Sequence, residues 1–392
     1  MSKLLLVFFF FFFFFFFFFS LTAVNGDYNV VQFGARGDGK TDSGRAFLSA
    51  WQAACSSRKP ATVYVPRGSY LIKRIIFEGP CRNARMTMKI DGTLVASTNF
   101  AAYGTGNWVL FNKVKGLVVD GGTLDGRGKP LWACKSTAGR NCPQGARSLA
   151  FNGAEDVVVR GLKSINSQFF HVAVNLCKNV RFDGIQLSAP DESPNTDGVH
   201  VQLSTGVTIF NSVMRTGDDC ISLGPGSRNM WIERIACGPG HGISIGSLGQ
   251  ELKEDGVQNV TVKSVVFRGT QNGVRIKSWG RPSTGFVRDV RFMNLVMVNV
   301  QNPIIIDQNY CPGNKNCPGQ HSGIKISGVT YKNIKGTSAT PVAVKFNCSK
   351  ANPCSRIGLK DVKLSYQNTR AQSSCRFANG SAAGLIDPPS CL

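Results

Sequence analysis

The sequence predicts an all-β fold: a right-handed parallel β-helix with an N-terminal capping helix. Three observations carry that reading. From about residue 116 one unit recurs, a short run of β-branched and apolar residues, then Gly or Asn, then a second short run, as in GLVVDGGTLDG, NVRFDGIQLSAP and NVTVKSVVFRGT. Anchored on Val157, Val180, Val207, Met230, Val260, Val290 and Ile324, the unit steps by 23, 27, 23, 30, 30 and 34 residues. Steps this short leave no room for a crossover helix between most strands and fall below the about 40 to 50 residues of a propeller blade, while Gly and Asn accept the left-handed turns a coil of strands needs.

The first element in chain order is a secretory signal over residues 1–26. Lys3 supplies its positive start, Leu4 to Phe19 its apolar stretch with twelve consecutive Phe, and Ala23 to Gly26 its small residues. The apolar stretch is too short to span a bilayer comfortably, so no membrane segment is expected after its removal. Next, Gly34 to Thr41 literally satisfies the phosphate-loop pattern GxxxxGK[ST]. Asp38 would put a carboxylate inside the phosphate cradle, and no alternation of strands and helices follows, so these residues are read as a turn before the capping helix. That helix is expected over 42–55: Asp42 or Ser43 caps it, and Phe47, Leu48, Trp51 and Ala54 share a face. A cover is needed because each rung buries its apolar face only against its neighbours. The cysteine-rich tail after Cys348 is expected to close the other end. No linker or abrupt change of composition divides 27–392, which is read as one catalytic domain and a monomer.

Composition narrows the function. Forty-five Lys and Arg against 23 Asp and Glu give a net charge of +22, which points to an anionic partner. A hydrophobic fraction of 42% over this length excludes disorder as a description of the whole chain. The 13 cysteines fit an exported, oxidised protein, with short spacings at Cys134 and Cys142, Cys311 and Cys317, Cys348 and Cys354, and Cys375 and Cys391. Cys177 stands isolated and is expected to be the free thiol. A zinc site is not expected, since no CxxC pair exists and only four His are present. Glycosylation sequons at Asn259, Asn347 and Asn379 agree with export.

Four polar clusters interrupt the repeat: Asn195-Thr-Asp197-Gly, Gly217-Asp218-Asp219-Cys, Gly240-His241-Gly and Arg275-Ile-Lys277. Asp197, Asp219 and His241 are 22 residues apart, and Arg275 follows 34 later, which reads as one rung each. Rungs of a parallel coil stack about 4.8 Å apart, so three carboxylates, an imidazole and two cations converge on one face. Crowding raises the pKa of one carboxyl so that it holds a proton while another stays ionised, as glycoside hydrolysis requires. Arg275 and Lys277 alternate about Ile276, point off one strand face and suit a substrate carboxylate, so the substrate is an acidic sugar. His200 is expected to be a satisfied structural His, and His171 and His321 receive no role.

The four clusters in this order resemble the signature motifs of glycoside hydrolase family 28. The chain from Tyr28 to Leu392 resembles its plant polygalacturonases, including NVVQFGARGDGKTD, CGPGHGISIGSLG, NGVRIKSWGRPSTG and IIIDQNYCP. The resemblance implies an extracellular, cell-wall enzyme that cleaves α-1,4-galacturonan with inversion, without cofactor or metal and without a nucleic-acid partner. It implies Asp218 as general acid, Asp197 with Asp219 as the pair activating water, and His241 as the group tuning the acid. Arg275 and Lys277 match binders of a galacturonate carboxylate, not structural partners of the Asp residues, and Asn195 and Tyr310 match further groups around the site. Internal cleavage is expected. The alternatives are exo-acting cleavage, a calcium-dependent pectate lyase and a non-catalytic pectin-binding β-helix.

Overall fold

The computed structural model describes residues 27–103, 106–137 and 141–392; the expected signal over 1–26 lies outside the described residues. The chain winds as a right-handed parallel β-helix. Eleven strands, from Ile75–Glu78 to Gln372–Arg376, stack in chain order as one all-parallel sheet, and 18 strands make the other walls. Among the described residues the one antiparallel pairing joins Cys354–Tyr366 to Thr369–Arg370.

The repeat anchors coincide with the register. Val157, Val180, Val207, Met230, Val260 and Val290 pair in succession. The next partner is Val329, not Ile324, which precedes the strand Lys325–Ser338. The residue before each anchor explains the difference. Asp156, Asn179, Gly206, Asn229, Asn259, Asp289 and Gly328 all have φ between 53° and 72°, so the corner demands a left-handed residue, and Gly328 supplies it for Val329. Asn side chains also bridge rungs: Asn112, Asn152, Asn175 and Gln202 each donate to the rung before, starting from Glu78, at 2.7 to 3.1 Å.

The interior is a continuous apolar column that includes Phe77, Phe111 and Phe151, stacked with centroids 4.9 and 5.6 Å apart. The helix Gly44–Ser56 covers its N-terminal end, inserting Trp51 against Phe77 and Phe111 and donating from the indole to the Glu78 carbonyl. Asp42 caps it by accepting from Gly44 N–H, whereas the Ser43 hydroxyl turns back to Arg36. Phe47, Trp51 and Ala54 are buried as expected, but Leu48 is only partly so. The phosphate-loop look-alike is a local turn: Asp38 accepts from the N–H groups of Thr41 and Lys40 and from the Thr41 hydroxyl, which hold its carboxyl down at about 2.

The C-terminal expectation needs correction. Part of the tail is itself a rung: Gln372–Arg376 and Ala378–Asp387 extend the two sheets by one more turn, Cys375–Cys391 ties the chain end to it, and Leu392 packs against the core. Alternation in this segment is weak, which is why it reads as a plug in sequence. All four short-spaced cysteine pairs are disulfides, Cys55–Cys81 pins the capping helix and Cys220–Cys237 crosses the interior. Cys177 is free and buried.

Candidate active site

The eleven-stranded sheet forms the floor of a cleft of about 1000 Å³, lined among others by Asn195, Asp197, Asp218, Asp219, Lys277 and Tyr310. Val199, Ile221, Ile243 and Val274 pair in register, so Asp197, Asp219 and His241, each two residues earlier, occupy one column on successive rungs. The cation motif departs from this spacing. Arg275 lies within the strand Asn272–Trp279, in register with Ser244, three residues beyond the column, and reaches back across a rung. Asn195 takes φ 58°, a left-handed corner that suits Asn and turns Thr196 and Asp197 inward.

The three carboxylates sit in different surroundings. Asp219 is buried; its Oδ1 accepts from Ser244 Oγ at 2.7 Å and from Arg275 at 2.8 Å, and its Oδ2 accepts from Lys277 Nζ at 2.8 Å. Burial alone would raise this carboxyl, but Lys277 and Arg275 overcome it and lower it to about 2. Asp197 is pushed well above the usual carboxylate range, first by burial and then by the negative Asp218 and Asp219, and Ser222 donates to its Oδ2 at 2.7 Å. Asp218 faces the cleft: 16% of its side chain is exposed, against 1% for Asp219. Its Oδ1 accepts from Asp219 N–H at 2.8 Å and meets His241 Nδ1 at 2.9 Å, with Asn195 Nδ2 at 3.4 Å from its Oδ2.

One expectation therefore changes. Arg275 and Lys277, expected to have no structural pairing with the Asp residues, are ion-paired with Asp219, because a carboxylate buried this deeply needs compensating charge. Crowding does raise one carboxyl: it is Asp197, enclosed and without a cation in hydrogen-bond contact. Tyr310 caps the two cations, its ring centre 5.8 Å from the Arg275 guanidinium and 5.2 Å from Lys277 Nζ. Donor atoms of Asp218, Asp219 and His241 lie within 4.8 Å of one another, yet both Asp219 oxygens are already engaged by cations, which makes the set a poor cradle for a metal.

Sequence reasoning missed the layer beneath. His200, Ser222, Ser244 and Arg275 are register partners on four successive strands. Ser222 Oγ donates to an ionised Asp197, so it then accepts from His200 Nδ1 at 2.8 Å; Ser244 Oγ donates to Asp219 and accepts from Arg275 Nε at 3.0 Å. His200 is thus satisfied, as expected, and also lines the cleft. Burial lowers its pKa to about 4. The signal was present: each of these residues stands three after Asp197, Asp219, His241 or Asn272.

Asp197→Asn is expected to raise stability at neutral pH while lowering activity. A carboxyl whose native pKa is raised contributes stability below its unfolded value, near about 4, and withdraws it as pH rises through the native value. The gain in melting temperature over the parent is therefore largest at neutral pH and shrinks in acid. A variant less stable than the parent at pH 7 would contradict the strain assigned to Asp197.

Comparison with known proteins agrees with the fold. The model of glycosyl hydrolases family 28 matches residues 55–384. A polygalacturonase of Prunus persica is 57% identical over 366 residues, covering 93% of each chain. An exopolygalacturonase of Platanus acerifolia is 43% identical over 90% of this chain and 93% of its own. The crystal structure of an endo-xylogalacturonan hydrolase from Aspergillus tubingensis superposes with a TM-score of 0.77 over 89% of this chain and 98% of its own; at 22% identity this likeness concerns the fold. With a coil of this register, three carboxylates on its floor and a family model spanning most of its length, the chain belongs to glycosyl hydrolases family 28.

Proposed function

We propose that the protein is a polygalacturonase that cleaves α-1,4-galacturonan internally by an inverting acid–base mechanism. The observation that carries this reading is the pairing of a cleft-facing Asp218 with an Asp219 held ionised by two buried cations. Asp218 donates a proton to the glycosidic oxygen, with His241 and Asn195 orienting its carboxyl. Asp219 is the ionised base toward the water that attacks the anomeric carbon from the opposite face, and Asp197 beside it helps to hold that water. Asp218 is the carboxyl of the three that is most open to the cleft, so it is the member that delivers the proton. Lys277 and Tyr310, which line the cleft, meet a substrate carboxylate, while Arg275 acts as a positioning residue through Asp219 and Ser244. The relatives named polygalacturonase and exopolygalacturonase support the substrate class.

Internal cleavage is favoured by a cleft lined on both sides of the carboxylates, from Arg147 on earlier rungs to Tyr310 on later ones. The protein is read as an exported, monomeric enzyme of the cell wall, its catalytic domain spanning 27–392. Among the described residues no helix is long and apolar enough to cross a membrane. The test is the time course of product size on de-esterified galacturonan in the presence of a chelator. Early oligomers with saturated ends are expected. Monomer alone would indicate terminal cutting, an unsaturated ring or loss of activity in chelator would indicate a lyase, and binding without new reducing ends would indicate a non-catalytic protein. With a net charge of +22 facing a polyanion, the Michaelis constant is expected to rise with salt; a salt-independent value would assign the charge to another role.

A further inference from the structure

A one-way chain of amides runs along the coil into the imidazole of His200. Asn112 donates to the Glu78 carboxylate, Asn152 to Asn112, Asn175 to Asn152 and Gln202 to Asn175, each through its side-chain nitrogen at 2.7 to 3.1 Å. A carboxylate only accepts, so Glu78 fixes the direction of every amide behind it. Gln202 therefore turns its nitrogen to Asn175 and its Oε1 to His200 Nε2, 3.3 Å away. An amide oxygen cannot donate, so this contact requires a hydrogen on Nε2.

The other ring nitrogen, Nδ1, lies 2.8 Å from Ser222 Oγ, which lies 2.7 Å from Asp197 Oδ2. A serine hydroxyl has one hydrogen to give, so two arrangements satisfy the whole chain. With Asp197 ionised, Ser222 donates to it and accepts from Nδ1–H, and the ring carries hydrogens on both nitrogens. With Asp197 protonated, its Oδ2 donates to Ser222, Ser222 donates to a bare Nδ1, and the ring is neutral with its hydrogen on Nε2. Both arrangements hold the same number of protons. Asp197 and His200 therefore carry one proton between them. Burial raises the Asp197 carboxyl and lowers the His200 imidazole to about 4, so at rest that proton sits on Asp197. Asp218, Asp219 and Lys277 act on Asp197, and Arg147, Lys277 and Asp219 act on His200, while its register neighbours Ala173 and Ser222 carry no charge.

The attacking water has two O–H bonds. Asp219 takes one proton, and Asp197 holds the other hydrogen far better as a carboxylate than as an acid. We propose that His200 is a positioning residue for the hydrolysis, receiving the proton of Asp197 through Ser222 as the water is engaged and so leaving Asp197 ionised to hold that water. The Asp197 Oδ2–H bond breaks as Ser222 Oγ gains its proton, the former Ser222 Oγ–H bond breaks as His200 Nδ1–H forms, and Nε2–H stays on Gln202. The net charge of the pair is unchanged, and the proton returns by the same path when the product leaves. The proposal rests on the polygalacturonase reading.

The test is the pH profile of kcat on de-esterified galacturonan for the parent, His200→Gln, Ser222→Ala and Ser222→Thr. Without the relay, Asp197 must lose its proton to solvent before it can hold the water, and its raised pKa makes that loss require a higher pH. The acidic limb of kcat is expected to move up by about one pH unit in His200→Gln and Ser222→Ala, with kcat at the parent's optimum lowered about tenfold and KM little changed. Ser222→Thr keeps the hydroxyl and should restore the parent profile. A loss equal at every pH, or a limb that stays in place, overturns the proposal. Should the variants fail to fold, the nitrogen NMR shifts of the His200 ring in the parent decide: a hydrogen on Nε2 at neutral pH is expected, and a bare Nε2 overturns it. A parent inactive on every galacturonan overturns the activity reading instead, and the ring nitrogen shifts, which need no turnover, still decide the shared proton.

Discussion

Asp218→Asn is expected to abolish turnover while leaving oligogalacturonate binding intact. The amide keeps the size of the carboxyl and can still accept from Asp219 N–H through its oxygen, but it has no acidic proton for the leaving glycosidic oxygen. General acid catalysis is worth about 10² to 10⁴-fold, and at least that loss is anticipated in kcat. Asp218 is the carboxyl to choose because it keeps 16% of its side chain open to the cleft, whereas Asp219 keeps 1% and is ion-paired with Arg275 and Lys277. Removing one negative charge from a cleft that receives a polyanion should leave affinity equal or better. Reducing-end release and direct binding on the same preparation check the claim. Near-normal turnover would remove Asp218 from the acid role, and loss of binding together with turnover would point to a damaged site.

The second large effect is on stability. Asp219→Ala leaves the Arg275 guanidinium and the Lys277 ammonium buried without their shared partner, and breaking a buried pair in this way costs about 3 to 5 kcal/mol. The pH dependence has a definite sign. A carboxyl lowered to about 2 in the native state contributes stability above its unfolded value and loses it as pH falls toward the native one, so the parent should weaken in acid while Asp219→Ala lacks that limb. Chemical denaturation of both proteins from neutral pH to about pH 3 reads this out. Adding Lys277→Met to Asp219→Ala should recover part of the loss by removing one stranded charge. Arg275→Lys belongs to the same set: an ammonium cannot donate at once to Ser244 and to Asp219 Oδ1 with the geometry of the planar guanidinium, so a lower melting temperature is expected along with impaired kinetics. Unchanged stability in Asp219→Ala would mean that the pair is held for substrate, as the sequence alone suggested.

Much of this was legible in the residues themselves. The spacing of Val157, Val180, Val207, Met230, Val260 and Val290 announces the coil because each rung must repeat the same inward apolar position and the same left-handed corner before it. The recurrence of Asp197, Asp219 and His241 at 22 residues announces a column of chemistry for the same reason: where the rung length is constant, sequence distance is spatial distance. The short cysteine pairs and the isolated Cys177 followed from local reach alone. Tertiary structure decided the rest. Which carboxyl is raised and which lowered depends on which cation can bend across a rung to reach it, and Arg275 does so from a column three residues out of step with Asp219. The serine layer beneath the carboxylates, and the amide chain that runs into His200, join residues whose proximity depends on lateral stacking and on loops of unequal length. A linear pattern records the repeat of a coil, but the direction in which a long side chain leans from it is set by burial and charge, and those exist only once the rungs are stacked.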